Sequence, residues 1–224
     1  MKSDLIATVC HEIRTPLTGI RMVLHLLLER NVGELTPMQN EMVVAARDDC
    51  ERLLCTLDGL LDLSRIQSGR AQLDLRPVHP RELLDEVRLT FQPQAGTRRI
   101  TLQVEADESL PPVLVDRARI SHAISILTSN ALKFAPEGSM IRLVAEEAAP
   151  RIRLSVIDSG PGIPQPYHAR IFEKFFRLPG SPANGAGLGL SIAREIVQAH
   201  DGRIGLESEP DIATRFFCEL PIAT

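Results

Sequence analysis

Aromatic residues are scarce in this chain of 224 residues, which has no Trp, one Tyr and seven Phe. Because 44% of the residues are hydrophobic, a core must be built mainly from aliphatic side chains, and the length allows one large or two small domains. No apolar run approaches the roughly 20 residues that a membrane-spanning helix needs, and the polar N-terminal segment does not resemble a secretory signal. We therefore predict a cytoplasmic protein without membrane contact in this segment.

A basic surplus and a cysteine pattern are also missing. The formal net charge is -4 and the pI is about 5.9, which argues against a nucleic-acid-binding protein. The four cysteines form no CxxC pair, so we expect reduced thiols and no cysteine-based metal site.

The first 70 residues have the apolar periodicity of two helices. Residues 3–29 carry apolar positions three or four residues apart, a spacing close to a heptad. A second helix is predicted to begin at "TPMQ", where Thr36 would be the N-cap, Pro37 the first helical residue and Gln39 its capping-box partner. The first seam comprises Leu5, Val9, Ile13, Pro16, Ile20, Val23 and Leu27, and the second comprises Ala46, Cys50, Leu53, Leu57, Leu60 and Ser64. Further leucines outside these seams widen the apolar surface, so we predict an antiparallel hairpin that pairs with a second copy into a four-helix bundle.

The rest of the chain alternates between strand and helix patterns. Helices are predicted over residues 80–92, 116–133 and 188–200, and strands over 100–105, 140–147, 151–158, 203–208 and 214–220. Strict βαβ alternation is absent, so a two-layer α/β sandwich is favoured over a doubly wound parallel sheet. The predicted fold class is thus α+β, with a helical hairpin over residues 1–70, a linker over 71–75 and a sandwich domain over 76–224.

The segment "ATVCHEIRTPL" places a polar cluster on the first predicted helix. At 100° per residue, His11 points about 200° away from Val9 and therefore away from the seam. Thr15 follows one turn later, and Glu12 is adjacent. Pro16 deprives the carbonyl of Glu12 of its helical donor, which predicts a bend there. On position alone, these are solvated surface residues.

The motif "HEIRTPL" resembles the H-box of sensor histidine kinases. The resemblance implies that His11 is the phosphoacceptor, and imidazole is largely neutral and nucleophilic near pH 7. It assigns Glu12 as the general base or orienting acid. Thr15 matches a position that, in related kinases, helps to hydrolyse the phosphorylated partner, so phosphatase activity is also expected. Cys10 stands where a serine is frequent.

Motifs further along resemble the nucleotide-binding boxes of the same family, in the family's order. "LTSNALKFAPEG" resembles the N-box, in which Asn130 would bind Mg²⁺ through its amide oxygen, Lys133 would contact phosphates and Phe134 would border the pocket. The family often has an asparagine where this chain has Ile126. On position alone, Asn130 is a polar residue at the edge of a helix.

"VIDSGPGIP" resembles the G1 box, in which Asp158 accepts a hydrogen bond from the adenine amino group and glycines allow a close approach of the base. Read alone, it is an ordinary turn at a strand end. The resemblance places Gly160, Gly162 and Ile163 at the nucleotide as well.

Three closing motifs complete the series. "RIFEKFFR" resembles the F-box, with Lys174 and Arg177 near the phosphates, while its phenylalanines Phe172, Phe175 and Phe176 are expected to pack into the core. "GAGLGLSIAREI" resembles the G2 box, whose helix N-terminus suits a triphosphate. In "PDIATRFFCELP", Thr214 matches the family's closing segment, and Ala213 replaces a glycine. The G2 residues implied at the nucleotide are Gly187, Leu188, Gly189 and Leu190.

Taken together, the resemblance implies a sensor histidine kinase catalytic core. It would use ATP and Mg²⁺ to phosphorylate His11, pass the phosphoryl group to an aspartate of a response-regulator receiver domain, and dimerise through residues 1–70. Such cores belong to longer, often membrane-anchored sensors, and we expect this chain to be a cytoplasmic portion of one. Two alternatives remain open: an ATPase that shares only the nucleotide fold, and a catalytically weak dimeric scaffold.

Overall fold

The structure is a computed structural model, and its α+β fold confirms the predicted class. The chain divides into two compact units: of the described residues, the first comprises those up to 54 together with 187 and 188, and the second comprises 73–179, 189–210 and 212–223. The structure describes residues 2–29, 33–47, 49–50, 53–54, 73–179, 187–210 and 212–223, without the side chains of residues 2–9 and 11. Several predicted features therefore lie outside the described residues: the side chains of Leu5, Val9 and His11, the second seam beyond residue 54, and residues 180–186 of the Gly/Pro-rich segment.

Among its described residues, the first unit contains two helices. Helix α1 spans Lys2–Leu28 without interruption at Pro16, and helix α2 covers residues 37–47, with residues 49–50 and 53–54 also helical. The predicted capping box is confirmed, because the Thr36 N–H donates to Gln39 Oε1 at 2.9 Å and the Gln39 N–H donates to Thr36 Oγ1 at 3.3 Å. These reciprocal bonds satisfy two amides that the first turn leaves free.

The two helices lie side by side in antiparallel orientation. Cys50 Sγ donates to the Leu17 carbonyl at 3.2 Å. Only residues 29–36 connect the two helices. Because Cys50 and Leu17 are 33 positions apart, they can meet only if α2 runs back along α1. Cys10 and Cys50 are both buried, at 3% and 4% exposed.

The face of α1 that is buried within the hairpin differs from the predicted seam. Cys10 is buried and Leu17 and Leu24 are half-buried, and these three residues repeat every seven positions along the helix. The seam residues Ile20 and Val23, in contrast, are 51% and 57% exposed. Helix α1 therefore has two adjacent apolar faces, of which one packs within the chain and the other remains uncovered.

The second unit is a sheet covered by helices on one face. A five-stranded sheet has the order β2-β4-β5-β7-β6, in which β2 and β4 are parallel and the other neighbours are antiparallel. A small antiparallel pair, β1 with β3, stands apart from it. The elements are β1 Arg76–Val78, α3 Pro80–Thr97, β2 Thr101–Ala106, β3 Val113–Val115, α4 Arg117–Phe134, β4 Met140–Ala148, β5 Arg151–Asp158, α5 Gly189–Ala199, β6 Arg203–Glu209 and β7 Ala213–Pro221, with 3-10 turns at Gln165–Tyr167 and Arg170–Phe172.

Aliphatic side chains fill the space between this sheet and its helices, as the scarcity of aromatics predicts. Alternate residues of the strands point to the helices, and Leu154, Val156, Phe216 and Leu220 are at most 4% exposed. The largest fully buried side chains are Leu83, Leu84, Ile120, Ile124, Leu127, Leu132, Ile141, Leu143, Ile152, Leu154, Ile196 and Leu220. The two-layer sandwich is thus confirmed.

Helix α3 runs five residues beyond its predicted end at residue 92, in spite of Pro93. Pro93 is exposed, so water can reach the carbonyl that loses its amide donor. Ala95 is fully buried and holds the last turn against the core. The short strands β1 and β3 were not predicted, because three residues are too few to show an alternation.

The opposite face of the sheet is closed by polar side chains of the strands themselves. The Arg153 guanidinium lies 4.2 Å from the centre of the Phe217 ring and pairs with Glu219 at 2.7 Å. Phe217 in turn occupies the space above Gly205, where a Cβ atom would collide with the ring. Cation–π contact and ion pairing among strand side chains therefore cover this part of the opposite face.

Candidate functional site

The end of strand β5 carries a buried carboxylate. Asp158 is the last residue of β5, faces Thr214 across the β5–β7 pair and is 4% exposed. Its Oδ1 accepts a hydrogen bond of 2.8 Å from the Gly160 N–H. Burial raises the pKa of Asp158 to about 6, although the Gly160 bond acts to lower it. The cause is desolvation, which penalises the charged form.

The turn that follows Asp158 requires glycine at two positions. A Cβ atom on Gly160 would lie 2.7 Å from Asp158 Oδ1 and 3.1 Å from the Phe134 carbonyl oxygen. Gly162 has φ = +75°, and its Cβ would lie 2.6 Å from Pro210 Cα. The turn is therefore wedged between the end of α4 and the β6–β7 connection, and it leaves space only for backbone.

The far end of the turn is held at Ile163 by two side chains that the sequence did not indicate. The Ile163 N–H donates to Ser208 Oγ at 2.9 Å, and the Ile163 carbonyl lies 2.7 Å from His168 Nε2. Ser208 Oγ is also 3.1 Å from Thr214 Oγ1. No sequence signal singled out Ser208 or His168, because their role depends on which backbone group each meets in the fold.

The C-terminal end of α4 borders the same turn. Asn130 is half-buried there, and Lys133 is exposed, with Nζ 5.2 Å from the centre of the Phe134 ring. Phe134 is 36% exposed. Arg98 secures this helix end by donating to the carbonyls of Leu132 and Ala135, the latter at 3.0 Å.

The F-box residues follow in the two 3-10 turns and the bend after them. Phe172 is buried and meets Phe216 edge to face, at 6.3 Å between ring centres. The expectation that Phe175 packs into the core is wrong, since it is 70% exposed with φ = +64°. A positive φ is uncommon for a residue other than Gly and marks a local bend in the chain, and at this bend the Phe175 side chain is left outside the core. Lys174 Nζ lies 3.0 Å from Glu195 Oε1, and Arg177 is exposed.

The first residue of α5 lies next to α4. Gly189 opens the helix, and a Cβ atom there would lie 3.2 Å from Ile126 Cγ2. An apolar contact thus stands where the family often has an asparagine. Leu190 is half-buried, Leu188 is 5% exposed, and Gly187 has φ = +71°.

Family models match both parts of the chain. Residues 1–69 match the "His Kinase A (phospho-acceptor) domain", and residues 115–224 match the "Histidine kinase-, DNA gyrase B-, and HSP90-like ATPase". A solved catalytic domain of the histidine kinase ThkA is 31% identical to this chain, with a TM-score of 0.60, over 66% of this chain and 96% of its own length.

This chain belongs to the sensor histidine kinases.

Two further relatives of this histidine kinase core extend over its whole length. The structure of full-length ShkA in complex with AMPPNP is 33% identical, with a TM-score of 0.79, over 99% of this chain and 46% of that chain. The alginate biosynthesis sensor protein KinB of Pseudomonas aeruginosa is 36% identical over 99% of this chain. The chain spans 37% of the length of KinB and between 23% and 30% of three other curated relatives.

The phosphoacceptor match separates this kinase core from ATPases that share only the nucleotide fold. The H-box residues lie in α1, where Glu12 and Thr15 are exposed and His11 belongs to the same uninterrupted helix. They therefore belong to the helical unit, whereas Asp158, Asn130 and Thr214 belong to the sheet unit. Within the described residues, no helix is long and apolar enough to cross a membrane.

The residues of the sheet unit fit an adenine nucleotide. Among the described residues, the Gly160 N–H is the sole hydrogen-bond donor to Asp158, which leaves the second carboxylate oxygen to accept from an amino group. The two glycine positions exclude side chains beside it, as a flat base requires. For a divalent cation, the amide oxygen of Asn130 is a suitable hard ligand, and the described part of the chain contains no cluster of three or more His, Cys, Asp or Glu.

Proposed function

We propose that this chain transfers the γ-phosphoryl group of ATP to His11 and then to an aspartate of a response-regulator receiver domain. The supporting observation is a phosphoacceptor domain and a nucleotide-binding domain in one chain, the latter with a buried carboxylate beside a glycine turn. In this proposal, residues 1–70 form the phosphoacceptor and dimerisation domain, residues 71–75 the linker, and residues 76–224 the ATP-binding domain.

The proposed binding step begins at Asp158. Its second carboxylate oxygen accepts a hydrogen bond from the adenine amino group. The backbone of Gly160, Gly162 and Ile163 lies beside the base. Lys133, Lys174 and Arg177 contribute positive charge toward the phosphates. Backbone amides come from Gly187 and Leu188 and from the first residues of α5, Gly189 and Leu190. Asn130 would hold Mg²⁺ through its amide oxygen, and the bound ion would neutralise charge on the phosphates.

In the proposed transfer step, one imidazole nitrogen of His11 attacks the γ-phosphorus. A nitrogen–phosphorus bond forms as the bond from phosphorus to the bridging oxygen breaks, and ADP leaves with that oxygen. Glu12 accepts the proton of the other ring nitrogen. The receiver aspartate then attacks the same phosphorus and releases His11, whereas Thr15 orients a water molecule for hydrolysis of the phosphorylated aspartate.

A homodimer through the hairpin is part of the proposal. The exposed face of α1 carries Ile13, Ile20 and Val23 at 42%, 51% and 57% exposure. Apolar patches of this kind mark association surfaces, and a second hairpin is the partner with the matching periodicity. A four-helix bundle would bury this face.

Radiolabelled ATP tests the proposed reaction. We expect label from [γ-³²P]ATP on the wild-type chain, stable to alkali and lost in acid, and no label on His11→Gln. His25→Gln is a matched control, since His25 is an exposed histidine of the same helix, paired with Glu29 at 3.1 Å. Equal labelling of wild type and His11→Gln would refute the proposal.

The weak-scaffold alternative rests on two departures from the family's pattern, Ile126 and Ala213, of which Ile126 lies where a Cβ atom on Gly189 would meet it at 3.2 Å. A calorimetric titration with ATP and Mg²⁺ separates the two possibilities, because a scaffold without catalytic function would show no ATP affinity. Ile126→Asn is the informative variant, since it restores the polar group at that place.

A further inference from the structure

The Ile163 peptide is bound on both of its polar groups by side chains. Its N–H donates to Ser208 Oγ at 2.9 Å and its carbonyl lies 2.7 Å from His168 Nε2. Because a carbonyl only accepts, Nε2 must carry the proton, and it does so in the neutral Nε2–H form as well as in the imidazolium. Ile163 itself is buried, at 9% exposed, so an amide left unpaired there would be costly.

Ser208 connects this peptide to the opposite wall of the site. Its hydroxyl lies 3.1 Å from Thr214 Oγ1 and 3.3 Å from the Ala213 carbonyl. Thr214 in turn stands directly across from Asp158 in the β5–β7 register. A single hydroxyl therefore joins the end of the glycine turn to the strand that faces the carboxylate.

We propose that Ser208 and His168 are positioning residues for adenine recognition, which act by fixing the Ile163 peptide and, through Ser208, the Thr214 hydroxyl. This inference rests on the proposed ATP-binding function. The Gly160 N–H that binds Asp158 belongs to the same turn, so a turn released at Ile163 presents the carboxylate less accurately to the amino group of the base.

A comparison of ATP with inosine triphosphate tests the inference, because inosine lacks the amino group. For Ser208→Ala, we expect the affinity for ATP to fall about 5- to 10-fold, as for the loss of one or two hydrogen bonds, while the affinity for inosine triphosphate changes less than twofold. The preference for ATP therefore shrinks. A general loss of structure would weaken both ligands equally and keep the ratio.

Ser155→Ala is the matched control. Ser155 is also buried in a strand of the sheet and accepts a hydrogen bond from Arg215 Nε at 3.0 Å, but it points to the opposite face from Asp158. We expect its ATP preference to equal that of the wild type. The second arm compares His168→Gln, whose amide nitrogen can replace Nε2 as donor, with His168→Leu, and we expect only the leucine variant to lose preference.

The outcomes distinguish the two proposals. An unchanged ratio in Ser208→Ala, or an equal change in Ser155→Ala, overturns the positioning role while wild-type binding leaves the proposed function intact. A wild-type chain that binds ATP no better than inosine triphosphate overturns the positioning role, because there is then no amino-group recognition to position. Absence of any ATP binding by the wild type refutes both.

Discussion

The two units of this chain solve the burial of apolar surface in different ways. In the helical unit, Ile20, Met22 and Val23 remain between 51% and 66% exposed, whereas in the sheet unit Ile120, Ile141 and Leu220 are fully enclosed. A two-helix hairpin has too little interior for the apolar residues it carries, but a sheet under three helices encloses its own. The sheet unit therefore encloses an apolar core within one chain, whereas the described part of the helical unit leaves an apolar face exposed, which the proposed dimer would bury.

The largest effect is expected from a charge in the uncovered face of α1. Ile20→Glu would place one carboxylate per protomer inside the proposed four-helix interface, and burying an unpaired charge costs several kcal/mol. We expect the dimer dissociation constant to rise more than about 100-fold, measured by sedimentation equilibrium. Leu89→Glu, at a 63% exposed position of α3 in the sheet unit, should leave it unchanged; equal constants for both variants would contradict the comparison.

The buried carboxylate of the sheet unit should make stability depend on pH. The pKa of Asp158 is about 6 in the folded chain, against 3.8 ordinarily. A raised pKa means that the stabilising contribution is full below about pH 3.8 and is lost as the pH rises through 6. Asp158→Asn should therefore exceed the wild type by about 3 kcal/mol at pH 8, with the difference vanishing toward pH 4, as measured by urea unfolding.

The affinity of Asp158→Asn for nucleotide should fall, although its stability at pH 8 rises. An asparagine has one acceptor oxygen, so either the Gly160 N–H or the adenine amino group would face an NH₂ group, and ATP binding should be lost.

Asp107→Asn is the control for the stability prediction, since Asp107 is exposed and its pKa is lowered by hydrogen bonds from Ser109. A gain for this variant at pH 8 would contradict the desolvation argument.

Two glycines with positive φ, Gly162 and Gly138, allow the cost of restricted space at the site to be separated from the cost of backbone strain. Gly162→Ala would combine an unfavourable positive φ with a collision at Pro210, and we expect a loss of about 2 kcal/mol or more in unfolding free energy. Gly138 has φ = +78° with open space around it, so Gly138→Ala measures the backbone strain alone. Equal losses in the two variants would show that the space beside Pro210 is not restricted.

The smallest effect is expected for surface charge on the same unit. Arg117 bridges α4 to Glu82 and Glu86 of α3 at 2.8 and 3.0 Å, but its side chain is half exposed. Since exposed ion pairs contribute little, Arg117→Ala should cost less than about 1 kcal/mol by thermal or urea unfolding. A loss as large as that of Gly162→Ala would mean that surface charge, rather than the enclosed core, holds the sheet unit together.

Much of the fold could be predicted because its signals are local. The start of α2 follows from Thr36 and Gln39, which form their capping box within one turn, and β5 follows from an alternation that ends at Asp158. The face of α1 that packs against α2 was not predictable. Both adjacent apolar faces of the helix have the same periodicity, so the sequence does not show which one contacts α2 and which one stays available to a second copy. Burial of Cys10 rather than Ile20 depends on where α2 lies.

The candidate site likewise has features that could be predicted from the sequence and others that could not. The glycine turn is recognisable from its letters, since the steric demand belongs to the residues themselves. Ser208 and His168 are not, because each meets a main-chain group of Ile163 that only the register of β6 and the 3-10 turn bring near. Whether Asn130, Lys174 and Thr214 contact a nucleotide stays a prediction.

The Phe217 ring lies above Gly205 and is covered by the Arg153 guanidinium. This packing affects how copies of the chain can associate. A broad sheet with one uncovered apolar face would offer a second surface for association, and copies could then join in chains without end. Here that surface is already occupied by the strands' own side chains. Among the described residues, the row of exposed apolar side chains on α1 is the surface on which the proposed dimer rests, and an association through one self-complementary surface per subunit stops at a pair.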